Sequence, residues 1–571
     1  MKKASVMVSL ILLCLCVACG NSSNQIVEET KEVEESLTEV DTPQEEPIEL
    51  VVCSQLSSYD GVQGGWFAQV MQEKFNVKLI ISPYLDVEKG LEQGFLGDII
   101  VFGNTGDSYK TAVEEGVLLD WEANDLLAEH GSYILENMPK ALEHNRSLVP
   151  QKDKIFGFGN NVASSNDTFE EVIYTWDIRW DLYKELGYPT VKDLDELTTL
   201  FEDMKKICPT DDSGEETYAM SIWPDWDTNM VMCVKAMASA YYGYDEFHFG
   251  LYDSDTGAFY GALDENGPYL EMLKYFNTLY RKGLLDPNSK TQTYEDMLKK
   301  LQSSGLFFSV MGYCGSLAYN TEGHIAENKY MASLLPEDAT PATYGMSVTG
   351  GNRVWTIGAD TQNPELCMQI INWLCTPEGR LTYEYGPQGV MWDYDEEGNT
   401  YFTELGKTCY EDRVTLLTGD YEGYFSDGCP QINNITWSYN AENPESNGET
   451  YNAHNWKSNA PSASCEMEQD WRDYTGTLTT LAYMKTKNCV VVPAINYEAP
   501  EKREALQKVW DQVANCIVTE SWNAIYAESD EEYEKIVSKM VAGARACGYE
   551  QCMTWCKQEA ERRRALEEDV R

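Results

Sequence analysis

Nine consecutive residues, Ser221-Ile222-Trp223-Pro224-Asp225-Trp226-Asp227-Thr228-Asn229, bring together two indoles, two carboxylates and a carboxamide. That mixture suits a guest with apolar C–H faces and a rim of hydroxyls. Flat rings cover the faces, and Asp, Asn and Trp N–H groups meet the hydroxyls. Sugars have both features. Pro224 and the alternating polar pattern set the segment on a loop after a strand, so Trp223, Asp225, Trp226 and Asp227 are candidate ligand contacts; the competing reading is a packed loop with buried Trp. Tyr313 joins them, following the apolar run Phe307–Met311. Trp437 and Tyr439 are further candidates, near Asn433 and Asn434 in a long loop-like region of about 427 to 465 that also holds Trp456. Long loops in compact proteins are often functional. Trp355 lies close to a predicted crossover and reads either as cleft or as hinge core. Most of the other Trp residues read as core.

Other chemistries find little support. The five His are isolated, and HExxH, GxSxG and GxxxxGK[ST] do not occur, which argues against zinc hydrolases, serine esterases and nucleotide binding. Asp393, Asp395, Glu397, Gly398 and Glu404 approach calcium-loop spacing, but alternating Thr400-Tyr401-Phe402 favours a hairpin. Fourteen Cys beyond Cys19 are scattered and contain no CxxC pair. They resemble neither a zinc site nor a small disulfide scaffold. No cofactor or metal is expected. With 94 acidic residues, accidental carboxylate pairs are unavoidable, so a secreted glycoside hydrolase is the enzyme alternative. A ligand-binding sensor subunit and a surface adhesin are others.

The elements that position these residues alternate. Strand-like runs at Ile48–Cys53, Val77–Ile81 and Ile99–Phe102 are separated by helical spacing through Trp66, Phe67, Val70, Met71 and Phe75. Such alternation predicts a parallel sheet with crossover helices. Ligands sit beyond the carboxyl ends of strands in these sheets. That singles out Ser54 to Asp60 and Asn104 to Asp107, and within them Asp60 and Asn104. Later helices follow a cap at Thr190, start at Asn363-Pro364, and enter through a Ser529/Glu532 capping box.

A chain of 571 residues exceeds one ordinary core, so two or more lobes are expected. The net charge of -51 repels phosphate backbones and excludes nucleic acid as a partner. A neutral ligand fits that field better, although a local basic pocket could hold an anion. Lys2 and Lys3, then an apolar stretch to Ala18, read as a leader too short to span a bilayer. It ends in Cys16-Val17-Ala18-Cys19, which resembles a lipobox with Cys19 as the lipidated residue; Cys16 stands where Leu is usual. Residues 20–48 are acidic and lack hydrophobic periodicity, as a disordered tether should.

Several segments together resemble the extracellular solute-binding proteins of family 1, in particular the large lipoprotein members from Firmicutes. They are Leu186–Leu197, Leu279–Pro287, Gly305–Tyr313, Asn363–Gly379, Val390–Gly398 and Trp522–Tyr526, in the family's order. The resemblance implies an α/β, two-lobe periplasmic-binding-protein-like fold (type II) with a hinge between lobes. By that analogy, 49–162 and 347–430 form one lobe, and 163–346 with 431–571 the other. It further implies a lipid-anchored monomer on the extracellular face of the cell membrane. Such a protein captures a carbohydrate, delivers it to ABC permease subunits, and is not an enzyme.

Overall fold

The computed structural model describes residues 46–571 apart from 84–86, 94, 152 and 496. The leader, Cys19 and the tether up to residue 45 lie outside the described residues. No helix among those described is long and apolar enough to cross a membrane.

Two large hydrophobic cores divide the chain into lobes. The first is built on strands Ile48–Ser54, Val77–Ser82 and Ile99–Phe102, which run parallel, with Ile48 opposite Val77 and Val52 opposite Ile99. Ile99–Phe102 is buried at every position. A continuous apolar run is what a sheet covered on both faces requires. Helix Gly65–Phe75 makes the crossover, burying Trp66, Phe67, Val70 and Met71, and ends on Asn76 in the left-handed conformation (φ 51°). The sheet is completed from far along the chain: Val354–Ile357 lies antiparallel between Ile99–Phe102 and Phe158–Gly159.

The second core surrounds strand Tyr174–Arg179, flanked antiparallel by Phe308–Met311 and Met331–Ser333. Helices Leu194–Ile207, Met232–Tyr242, Pro268–Arg281 and Glu504–Ile525 pack their apolar faces into it. The fold is thus two-lobed α/β.

The packing differs from the expected division after residue 430. Ile432, Trp437, Ala441, Tyr451, Ala453 and Trp456 all belong to the first core, and the second core resumes only at Met467. Specific contacts hold them there. Ser54 Oγ donates to the Ile432 carbonyl at 2.7 Å, and Thr436 Oγ1 to that of Leu374 at 2.8 Å. The sequence around 431–456 has no period to reveal which core it joins.

Two segments cross between the cores side by side. Strand Phe158–Gly159 continues to Phe169–Glu171, and Ala342–Gly345 returns to Val354–Ile357, paired antiparallel at both ends. Between those ends, Ala163 N–H donates to Ser347 O at 2.9 Å, Met346 N–H to Thr168 O at 2.8 Å and Asn160 N–H to Arg353 O at 2.8 Å. Gly159 is needed for this close approach, since a Cβ there would sit 2.1 Å from the Gly351 carbonyl oxygen. A third crossing follows Trp456.

The segment weighed for calcium is a hairpin of Trp392–Tyr394 and Thr400–Phe402. Asp395 Oδ1 accepts from the N–H groups of Glu397 and Asn399, and Gly398 takes the positive φ the turn demands.

Candidate ligand-binding faces

The loop 221–229 is pinned from beneath. Ser221 Oγ donates to Asp286 Oδ2 at 2.7 Å, and Gln292 Nε2 donates to the Ile222 carbonyl at 2.7 Å. These bonds hold Trp223 in the core at 2% exposure and leave Trp226 38% exposed. Trp223 meets Trp226 edge to face at 5.1 Å between ring centroids. Trp226 lies 4.6 Å from Tyr294 and 6.0 Å from Tyr313, which is 41% exposed. Trp226 and Tyr313 therefore form a shelf of two flat rings, with Trp223 and Tyr294 packed against it. Burial pushes the Tyr313 phenol well above its ordinary range, so it is neutral at physiological pH.

The carboxylates of this loop have structural duties. Asp225 Oδ2 accepts from the Tyr294 N–H at 2.9 Å, at the start of helix Tyr294–Gln302, where an anion is favoured. Asp227 Oδ1 accepts from the Met232 N–H at 2.8 Å and its Oδ2 from Trp522 Nε1 at 2.7 Å. Burial raises Asp227 to about 6 despite those two bonds. Each thus braces the loop that carries the shelf.

The first lobe offers a polar cavity of about 500 Å³ lined by Asn160, Arg353, Glu384, Arg413, Asn433 and Tyr439, among others. It stands beyond the carboxyl ends of the parallel strands, where such sheets take their ligands. Asn433 Nδ2 donates to the Leu56 carbonyl at 2.8 Å, just after strand Ile48–Ser54. Arg353 precedes Val354, which pairs with Phe102 at the end of its strand. Tyr439 is 39% exposed, and its hydroxyl donates to Glu384 Oε2 at 2.7 Å. Beneath that ring, 4.8 Å from its centroid, lies the buried Arg380 guanidinium, whose Nε donates to the Trp437 carbonyl at 3.0 Å. A second cavity of about 620 Å³ is lined by Tyr133, Lys140, Trp437, Glu442 and Tyr451.

The remaining sequence candidates divide. Asp60 and Asn104 are exposed on loops after parallel strands, and Asn104 Oδ1 accepts from the Gly106 N–H. Neither lines the 500 Å³ cavity. Trp437 is 3% exposed and lines the cavity of about 620 Å³. Trp355 is a correction: it has 0% exposure, because its strand lies inside the sheet between two neighbours and under the first core. Sequence reasoning missed Tyr294, Glu384, Arg353 and Arg413. Tyr294 had a usable signal, the Thr293/Asp296 capping box before it; the charged residues had none.

No protein-family model matches the chain, and no curated protein does. Solved structures with a similar trace include an HMO-binding, ABC-transporter-associated solute-binding protein from Bifidobacterium longum infantis. It is 12% identical over 90% of this chain and 99% of that one, with a TM-score of 0.41. Another extracellular solute-binding protein from Bifidobacterium longum subsp. infantis is 12% identical over 90% and 98%, with a TM-score of 0.42. The N-glycan transport solute-binding protein NgtS from Streptococcus pneumoniae is 15% identical over 90% and 99%, with a TM-score of 0.39.

Proposed function

We propose that this chain is an extracellular, lipid-anchored solute-binding protein that captures a carbohydrate, an oligosaccharide, between its lobes for an ABC importer. The observation that carries the reading is the exposed Trp226–Tyr313 shelf on one core, joined by paired crossing strands to a core that presents a polar cavity. Rings serve the C–H faces of a sugar, and amides and carboxylates its hydroxyls. Backbone bonds between the crossing segments make a joint that can bend without unfolding either core, as hinge closure requires. Acylation at Cys19 would hold the protein at the cell surface, and a monomer suffices for delivery to permease subunits.

Thermal denaturation against a panel of oligosaccharides tests the reading. A bound sugar at a hundred times its Kd should stabilise the fold by about 2.7 kcal/mol, with no reducing ends released. Release of reducing ends would make the protein a hydrolase, and no stabilisation by any sugar would end the carbohydrate reading. Cys19→Ala should shift the expressed protein from the membrane fraction to the medium.

A further inference from the structure

In a chain with 94 acidic and 43 basic residues, an arginine without a carboxylate partner is the exception. Among the described residues, every arginine other than Arg353, Arg413 and Arg503 has a carboxylate oxygen within 3.8 Å. Two of those three, Arg353 and Arg413, line the same cavity of about 500 Å³.

Their surroundings leave both charges available. Arg413 lies over the Phe425 ring at 5.4 Å and donates through Nη2 to Cys429 Sγ at 2.8 Å, neither of which neutralises it. Arg353 is exposed and makes no side-chain hydrogen bond or ion pair with any described residue. Among the described residues that line the cavity, Glu384 is the single carboxylate. Its Oε2 already accepts from the Tyr439 hydroxyl and faces buried Arg380 at 3.8 Å. The cavity is therefore locally cationic within a strongly anionic protein. A surface under no pressure to hold an anion would more economically pair such groups with the abundant Asp and Glu.

We propose that this cavity is a subsite for a carboxylate carried by the sugar, so that the protein selects acidic oligosaccharides over their neutral counterparts. The proposal rests on the carbohydrate reading above. A guanidinium presents a planar fork that matches a carboxylate in two parallel hydrogen bonds. Tyr439 beside it offers a ring face to the same residue, and exposed Asn433, whose Nδ2 is held by the Leu56 carbonyl, offers its Oδ1 to a hydroxyl. Because Arg353 lies on a crossing segment, a guest held there touches the joint between the cores.

Titration calorimetry on the folded chain tests this with matched probes: lactose against 3′-sialyllactose, a galactose trimer against trigalacturonate, and sulfated lactose as a different anion. The acidic member of at least one pair should bind about tenfold to a hundredfold tighter than its neutral partner. Arg353→Gln and Arg413→Gln should each erode that preference, while Arg503→Gln, outside the cavity, should keep it. If Arg413→Gln fails to fold, exposed Arg353 decides the matter. Equal affinity for neutral and acidic partners, or a preference that survives both cavity substitutions, overturns the subsite and leaves the carbohydrate reading standing. Preference for the sulfated probe over both carboxylates overturns the carboxylate assignment. Failure of every sugar to bind overturns the carbohydrate reading and this inference with it.

Discussion

The aromatic shelf of the second lobe and the polar cavity of the first are built on opposite plans. The shelf is made of rings supported by rings, and its acids accept from backbone and indole N–H groups of neighbouring helices. The cavity is made of charges supported by a buried charge, Arg380 beneath Tyr439 and beside Glu384. The difference teaches that adhesion and discrimination need not share a surface. Flat rings attract any sugar face, whereas a guanidinium or amide distinguishes one substituent from another.

The largest expected effect breaks the shelf from below. Trp223→Ala removes a fully packed indole at 2% exposure and should cost about 3–5 kcal/mol of stability, read as a lowered midpoint in urea. Next comes the support of the other face. Glu384→Gln leaves Arg380 buried without its counter-charge and should cost about 2–3 kcal/mol, below the usual loss for a fully buried pair because Glu384 is partly exposed. A stability loss in Glu384→Gln no greater than that of an ordinary surface change would show that the cavity floor does not depend on this pair. Trp226→Ala should do the reverse of Trp223→Ala. With 38% exposure, it should barely move the unfolding midpoint yet weaken sugar binding by about thirtyfold. Equal affinity of Trp226→Ala and the parent chain would remove the shelf from the binding site.

The two faces were unequally legible in the sequence, for a physical reason. The shelf loop packs Trp223, Asp225, Trp226 and Asp227 into five positions, so local composition announced it. What the sequence could not say was which indole turns inward, because that depends on distant Ser289, Gln292 and Asp286 holding the backbone. The cavity draws Asn160, Arg353, Glu384, Arg413 and Tyr439 from both of the separated stretches of sequence that make up the first lobe. Each reads alone as an ordinary surface residue. The parallel strands and their crossover helix were plain from periodicity. The allegiance of 431–456 was not, since Ile432, Trp437, Tyr451 and Trp456 are buried by packing without a repeating pattern.

Asp227 gives a smaller effect that separates support from contact. Burial raises its folded pKa from 3.8 to about 6. Above pH 6 it is ionised in both folded and unfolded chains, and its burial opposes folding. Between pH 6 and 4 the folded chain takes up a proton that the unfolded chain does not, so this group's contribution to stability rises as pH falls. Asp227→Asn removes that dependence and sets an amide N–H or a carbonyl against the Trp522 N–H, according to its rotamer. The stability of the parent chain relative to Asp227→Asn, measured by urea unfolding, should therefore increase from pH 7 to pH 4. A constant difference across that range would show that Asp227 is solvated in the folded protein.

The smallest effect tests whether the shelf acts through ring faces alone. The Tyr313 hydroxyl points back to Met311 Sδ at 3.0 Å, so it is not the group a sugar would meet first. Tyr313→Phe keeps the ring and should change affinity by less than about twofold, whereas Tyr313→Leu loses the face and should weaken binding by roughly two- to tenfold. If the Phe variant lost as much as the Leu variant, the hydroxyl would be reaching the guest. The shelf would then be discriminating between sugars, the task assigned here to the charged cavity of the first lobe.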